Sequence, residues 1–226
     1  MQEAANLKPN DTTAFIEANT HFQATPLCPE IEVRLLRPDA SMWKSANHIF
    51  DDNGPRPYWA FAWGSGQCLA RFVLDHPEVV LGRRVFDFGS GCGIAAIASA
   101  RAGACQVIAT EIDSVAVRAI ELNAKHNGVV VQARATTPDA QQPLAEVERE
   151  PWDVLLAGDV FYLWPKNAAL AALGGDGRTV LIGMARKRGI SRENLEELQV
   201  YSVSTVPEIE HPSNTESCVL RVRAGG

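Results

Sequence analysis

Arg83-Arg84-Val85-Phe86-Asp87-Phe88-Gly89-Ser90-Gly91-Cys92-Gly93 opens the stretch that decides the fold, and Val107-Ile108-Ala109-Thr110-Glu111-Ile112-Asp113 closes it. Val85, Phe86 and Phe88 form a short apolar run suited to a buried strand. The glycines cut that strand off sharply, because Gly turns the backbone where a side chain would clash. Ile94 to Ala102 reads as a helix of mostly small residues, able to lie close on a sheet. A second strand, Gln106 to Thr110, runs into Glu111. The expectation is a βαβ unit with a nucleotide-type site at the carboxyl ends of its strands.

The residues of the turn select among ligands. A dinucleotide fingerprint wants Gly-x-Gly-x-x-Gly with a pyrophosphate at the helix N-terminus. Counted from Gly89, the third glycine falls on Ile94 and is absent. What stands there is Gly89-x-Gly91-x-Gly93, preceded by Asp87. An acid inside the turn suits a cationic ligand better than a phosphate. S-adenosylmethionine has an ammonium, a sulfonium and no phosphate. Glu111 lies about twenty residues beyond the glycines, where an acid can take both ribose hydroxyls.

Asp87-x-Gly89-Ser90-Gly91-Cys92-Gly93 resembles motif I of the seven-β-strand, class I methyltransferases. Pro57-Tyr58-Trp59-Ala60 with Trp63, Glu111-Ile112-Asp113, and Gly158-Asp159-Val160-Phe161-Tyr162 narrow it. Together they are similar to protein-lysine methyltransferases, most closely those of the electron transfer flavoprotein β subunit. The similarity runs from about Arg56 to Gly183. It implies a Rossmann-like α/β fold, a seven-stranded mostly parallel sheet with helices on both faces and a C-terminal antiparallel hairpin. It implies S-adenosyl-L-methionine as cofactor, held by Trp63, Asp87, Gly89, Ser90, Gly91, Gly93, Glu111, Ile112 and Asp159. It implies Asp159, Phe161 and Tyr162 as the catalytic set. The target would be a lysine of the electron transfer flavoprotein β subunit, with a ribosomal protein or a small N- or O-nucleophile as alternatives. A non-catalytic protein binding the same cofactor is a further alternative. The intact turn and Asp159-x-Phe161-Tyr162 speak against it.

Composition is compatible with this. The 226 residues suffice for one sizeable α/β domain. A hydrophobic share of 46% is ordinary for a globular chain. The formal charge of −6 argues against a broad nucleic-acid footprint. Cys28, Cys68, Cys92, Cys105 and Cys218 show no Cys-x-x-Cys spacing, and His21, His48, His76, His126 and His211 no metal-ligand spacing. Scattered, unpaired thiols suggest a cytoplasmic protein. No apolar run approaches membrane-spanning length, and no Gly-Lys-Ser/Thr loop or Gly-x-Ser-x-Gly elbow is present. A monomer without metal, membrane or nucleic-acid partner is expected.

Working outward from the core, residues 1–56 read as an N-terminal extension and 57–226 as the methyltransferase domain. Met1 to Asn10 is polar and expected to be loose. Asp11 can cap a helix over Thr12 to Asn19, and Ile31 to Leu35 alternates as a strand. Asp51 to Pro57 is a turn-rich break. Phe61 reads as core. Trp63 heads a Gly64-Ser65-Gly66 loop, with glycine where the family often has proline, and Gln67 to Leu74 follows as a helix. Ser114 to Asn127 is the next helix, which Asp113 or Ser114 can cap, and for Asp113 that capping role comes ahead of any ligand role. Val129 to Val131 reads as the third strand. The polar stretch from Ala133 to Pro151 offers Arg134, Thr136 and Thr137 near the adenine edge without assigning any. Trp152 to Gly158 is the fourth strand, Lys166 to Leu173 a short helix, and Thr179 to Gly183 the fifth strand. Ser191 to Glu197 reads as a capped helix. Leu198 to Val206 and Cys218 to Val222, with no helix between them, should pair antiparallel.

The chemistry follows from the reaction. A lysine amine is protonated at neutral pH. Desolvation in an aromatic channel lowers its pKa. Phe161 and Tyr162 could wall that channel and hold the amine by cation–π contact. Asp159 could orient the ammonium and accept its proton.

Overall fold

The computed structural model describes residues 9–40, 57–136, 147, 151–159, 173, 177–186, 194–203 and 216–223. The strand-turn-helix-strand unit forms as the sequence requires. β3, Arg84–Phe88, pairs parallel with β4, Gln106–Glu111, and the helix between them, α3, is Ile94–Arg101. β5 is Gln132–Ala135, β6 Val154–Gly158, β7 Thr179–Ala185, β8 Leu195–Ser202 and β9 Glu216–Val222. These make one seven-stranded sheet in the order β5-β4-β3-β6-β7-β9-β8. The first five strands of that order run parallel. β9 is antiparallel to both β7 and β8. The strand order reverses at β3, whose neighbours are β4 and β6, so the turn after β3 lies at the topological switch point.

Period-two alternation sorts the strand residues between two cores. Phe86, Phe88, Ile108, Leu155, Ala157, Val180, Ile182 and Leu220 face one side, where Trp152 and the helical positions Val147 and Leu173 meet them. Val85, Val107, Ala109, Val154, Leu156, Leu181 and Val219 face the other. There they meet α2, Gly64–Asp75, then α3, and α4, Ser114–His126. Both faces being covered explains why the strands are continuously apolar. At the amino end, Arg84 and Asp153 clamp β3 to β6, with guanidinium nitrogens 3.0 and 2.7 Å from the carboxylate oxygens.

Ahead of the core, α1, Pro9–Asn19, leads into β1, Thr20–Ala24, which pairs antiparallel with β2, Glu32–Leu36. This separate two-stranded hairpin and α1 pack on α4. Ile16 and Leu36 share a buried cluster with Val115, Ala116, Ala119 and Phe61.

Several expectations change. α1 begins at Pro9, where a missing N–H costs nothing, so Asp11 lies within the first turn. β1 had no reading from sequence; its partner β2 supplies the reason for it. Gly64-Ser65-Gly66 is the first turn of α2 rather than a loop. The third strand is Gln132–Ala135, not Val129 to Val131. Gly128 at φ +68° ends α4, and Val129 N–H closes back on the Ala124 carbonyl. Val130 is left 85% exposed in the connection. Leu195 to Glu197 belong to β8, paired with Val222, Arg221 and Leu220, so the expected helix over Ser191 to Glu197 does not form there. Asn194, immediately before β8, has φ +61°, and Ser191 to Glu193 lie outside the described residues. The expected Lys166 to Leu173 helix lies outside the described residues except Leu173.

Candidate active site

Three backbone reversals build the turn after β3. Gly89, Gly91 and Gly93 have φ of 64°, 58° and 81°, the left-handed region that other residues avoid. Gly93 has a second constraint: a Cβ there would lie 3.1 Å from Ile120 of α4. Over Gly91 a Cβ would meet nothing within 4 Å, so the turn faces open space at that point.

The turn is wired to the end of β4. Ser90 N–H donates to the Thr110 carbonyl at 3.0 Å. Gly91 N–H donates to Glu111 Oε1 at 2.8 Å, and Ile112 N–H to Glu111 Oε2 at 3.0 Å. Each Glu111 oxygen keeps a second lone-pair site for another donor. Asp87, at the last turn of β3 into the loop, is buried and accepts the Ser90 hydroxyl. Burial pushes the Asp87 carboxyl up to about 7, against the pull of Ser90 and the Ala96 N–H, with the Glu111 charge adding to the rise. Burial also raises Glu111 and Asp113. Asp113 accepts Val115 N–H at 2.8 Å and caps α4, as its position after β4 implied. Ile112, between the two acids, stays 64% exposed.

On the far side of the switch point, the first turn of α2 sits over the ends of β6 and β7. A Cβ on Gly183 would overlap the Ser65 carbonyl oxygen, and one on Gly158 would touch Ser65 Oγ at 3.6 Å. Trp63 stands immediately before this turn of α2 and packs against the cluster of Ile16, Leu36 and Ala119. Its indole N–H donates to the Tyr58 carbonyl at 2.8 Å, and its ring tilts against Tyr58 and Phe61. Phe61 is buried, in a core role. Asp159 follows β6 directly with φ +53°, its N–H donating to the Gly183 carbonyl at 2.9 Å. A left-handed aspartate at a strand end is a held conformation, the kind that concentrates at functional sites. Phe161, Tyr162 and Thr137 lie outside the described residues. Thr136 closes on the Glu111 carbonyl at 2.8 Å, next to Ile112.

The structure thus gathers Asp87, Gly89, Ser90, Gly91, Gly93, Glu111 and Ile112 at one end of β3 and β4, and Asp159 at the same end of β6, with Trp63 immediately before the turn of α2 that sits over it. Two residues had no role in the sequence reading. Gln67, buried, donates to the Ala62 carbonyl and accepts Leu27 N–H. Asn123, buried, donates to the Cys92 carbonyl inside the glycine turn. The signal for Asn123 was present: it continues the apolar face Val115, Ala116, Ala119, Ile120 of α4 as a lone polar residue.

Sheet order, hairpin and turn define a class I S-adenosylmethionine-dependent methyltransferase. The family profile of ribosomal protein L11 methyltransferase matches residues 67–186. The electron transfer flavoprotein beta subunit lysine methyltransferase of Xenopus laevis is 36% identical over 219 residues, 91% of this chain and 85% of that protein. Its Homo sapiens counterpart is 39% identical over 150 residues, 66% of this chain and 55% of that protein. Ribosomal protein L11 methylase from Lactobacillus delbrueckii subsp. bulgaricus shares the fold at a TM-score of 0.53 and 18% identity, over 90% of this chain and 99% of that one. The chain belongs to the family of the electron transfer flavoprotein beta subunit lysine methyltransferases. Its cofactor is S-adenosylmethionine, and the residues present suit it. Acids whose pKa burial raises, with the Glu111 charge adding to Asp87, are relieved by a cation. The open space over Gly91 and the uncovered Ile112 leave room and an apolar surface beside them. Among the described residues no acid, cysteine or histidine group is arranged to hold a metal, and no helix is long and apolar enough to cross a membrane.

Proposed function

We propose that this chain methylates the side-chain amine of a lysine in a protein, with the electron transfer flavoprotein β subunit as first candidate. The observation that carries it is the 36% identity, over 91% of the chain, to a relative named for that activity. The cofactor supplies an electrophilic methyl group on its sulfonium. Asp87 and the Gly89–Gly93 turn hold its cationic amino-acid end, Glu111 takes the ribose hydroxyls, Ile112 covers the base, and Trp63 closes the side towards β6. Asp159 orients the incoming ammonium and takes its proton, because only the neutral amine has a lone pair to offer. Phe161 and Tyr162 wall the channel. The reading includes a cytoplasmic, monomeric enzyme that works without nucleic acid or membrane. The formal charge of −6 and the absence of any disulfide among the five cysteines support that setting.

Mass spectrometry of the flavoprotein β subunit after incubation with enzyme and cofactor tests this. Methyl additions on lysine are expected from the wild type. With Asp159→Asn, transfer should fall about a hundredfold or more, as for a positioned acid–base group, with cofactor affinity retained. Unmodified lysines together with methylated ribosomal protein would move the substrate to the activity named by the family profile. Unmodified lysines together with turnover of a small amine would remove the protein substrate altogether.

A further inference from the structure

Asn123 spans two parts of the molecule that share no sequence neighbourhood. Its Nδ2 donates to the Cys92 carbonyl at 2.8 Å, and Cys92 stands between Gly91 and Gly93. Its Oδ1 accepts the Arg34 N–H of β2 at 2.9 Å. One partner is a carbonyl and the other an N–H, so only this amide orientation satisfies both. The side chain is fully buried, so losing either bond leaves a polar group without water to replace it.

The hairpin side of this link is itself clamped to α4. Asn127, one turn on, donates to the Glu32 carbonyl at 2.6 Å and accepts Glu32 N–H at 3.3 Å. His126 Nε2 lies 2.8 Å from Glu32 Oε2. Phe22 of β1 stacks on the His126 ring at 3.6 Å and 11°, and the Arg34 guanidinium lies 4.4 Å over Phe22. Glu17 of α1 pairs with Arg34 at 3.3 Å. A continuous path of contacts therefore runs from Phe22 of β1 through Arg34 of β2 and Asn123 of α4 to the carbonyl in the middle of the glycine turn, stacked at its start and buried at its end.

We infer that Asn123 is a positioning residue for the cofactor turn and that, through it, the docked N-terminal hairpin sets how well the turn receives the cofactor. The Cys92 carbonyl fixes the peptide between two left-handed glycines, the part of the turn with the most backbone freedom to lose. Holding it before the cofactor arrives removes an ordering cost from binding. The hairpin is thus part of the cofactor site without touching the cofactor. This rests on the glycine turn being the cofactor's seat.

Calorimetry with S-adenosylhomocysteine, with transfer assayed at saturating cofactor, separates the two. Gly91→Val should abolish binding; retained binding would remove the seat and leave Asn123 without a task. Asn123→Ala should weaken binding about tenfold, the scale of one lost buried hydrogen bond, with the saturated rate within about threefold of wild type. A folded Asn123→Ala protein with wild-type affinity overturns the inference while the seat stands. The wild type gives a check that needs no variant, because linkage is reciprocal. Bound S-adenosylhomocysteine should slow amide exchange at Arg34 by up to about tenfold, the factor by which opening of the Asn123 link weakens binding, while Val219 and Leu220 of β9 report the full global stabilisation as the upper limit. Exchange at Arg34 left unchanged by the ligand while Val219 and Leu220 slow overturns the inference even if Asn123→Ala fails to fold.

Discussion

Burial holds the Asp87 carboxyl near 7, where an exposed aspartate would titrate around 4. Because the folded value is raised, its stabilising contribution is complete below the unfolded pKa and is lost as pH rises through about 7. Cofactor binding runs the other way, since a cation favours the carboxylate. Affinity for S-adenosylmethionine should therefore rise between pH 6 and pH 8, with a proton released on binding near pH 7 that calorimetry in two buffers of different ionisation enthalpy would register. Asp87→Asn should bind weakly at every pH, with the slope gone; an unaltered slope would move the titration to another group. The place of Asp87 was legible, because a strand, an acid and three glycines are adjacent in sequence. Its titration was not. That depends first on burial under elements distant in sequence, then on Ala96 from the helix and Glu111 from the next strand. The partners of Asn123 were hidden for the same reason, Arg34 and Cys92 lying 89 and 31 residues away.

Elements reveal where local pattern decides and where pairing overrides it. β3, β4, β6 and β7 are apolar on both faces and announce themselves. β5 sits at the sheet edge with Gln132 and Arg134 in it, so it carries no apolar signature, and the valines before it drew the expectation instead. Leu195, Glu196 and Glu197 look helical in isolation. Their alternation matters only once β9 lies alongside. The contact between α2 and β7 was equally invisible, since Gly183 reads as an ordinary strand end. Gly183→Ala should force α2 off the sheet, at a cost of about 1–3 kcal/mol typical of overpacking. In a domain of this size each kcal/mol lowers Tm by roughly 2–4 °C. The same shift carries Trp63 with it, so cofactor affinity should fall in parallel with Tm. A Gly183→Ala protein that melts like the wild type would mean the helix has room to move.

Across the whole molecule, the parallel core lies on the sequence in order, strand after helix after strand, and its class could be read from one turn. The last two strands break that order: β9, later in sequence than β8, lies inside it, between β8 and β7. Its Cys218, Val219 and Leu220 are fully buried, contributing to the cores on both faces. On a ribosome this insertion sets a schedule. β7 and β8 are synthesised with the slot between them empty, and β7 waits with an unpaired edge until β9 emerges. Such an edge is a template for pairing with another nascent chain. A chain stopped before Glu216 should accordingly sediment as aggregate rather than as a loosened monomer. A soluble truncated monomer with native circular dichroism would show that the waiting edge is harmless. Intact, the protein has its most aggregation-prone interval between the synthesis of β8 and that of β9, when chaperone access would matter most.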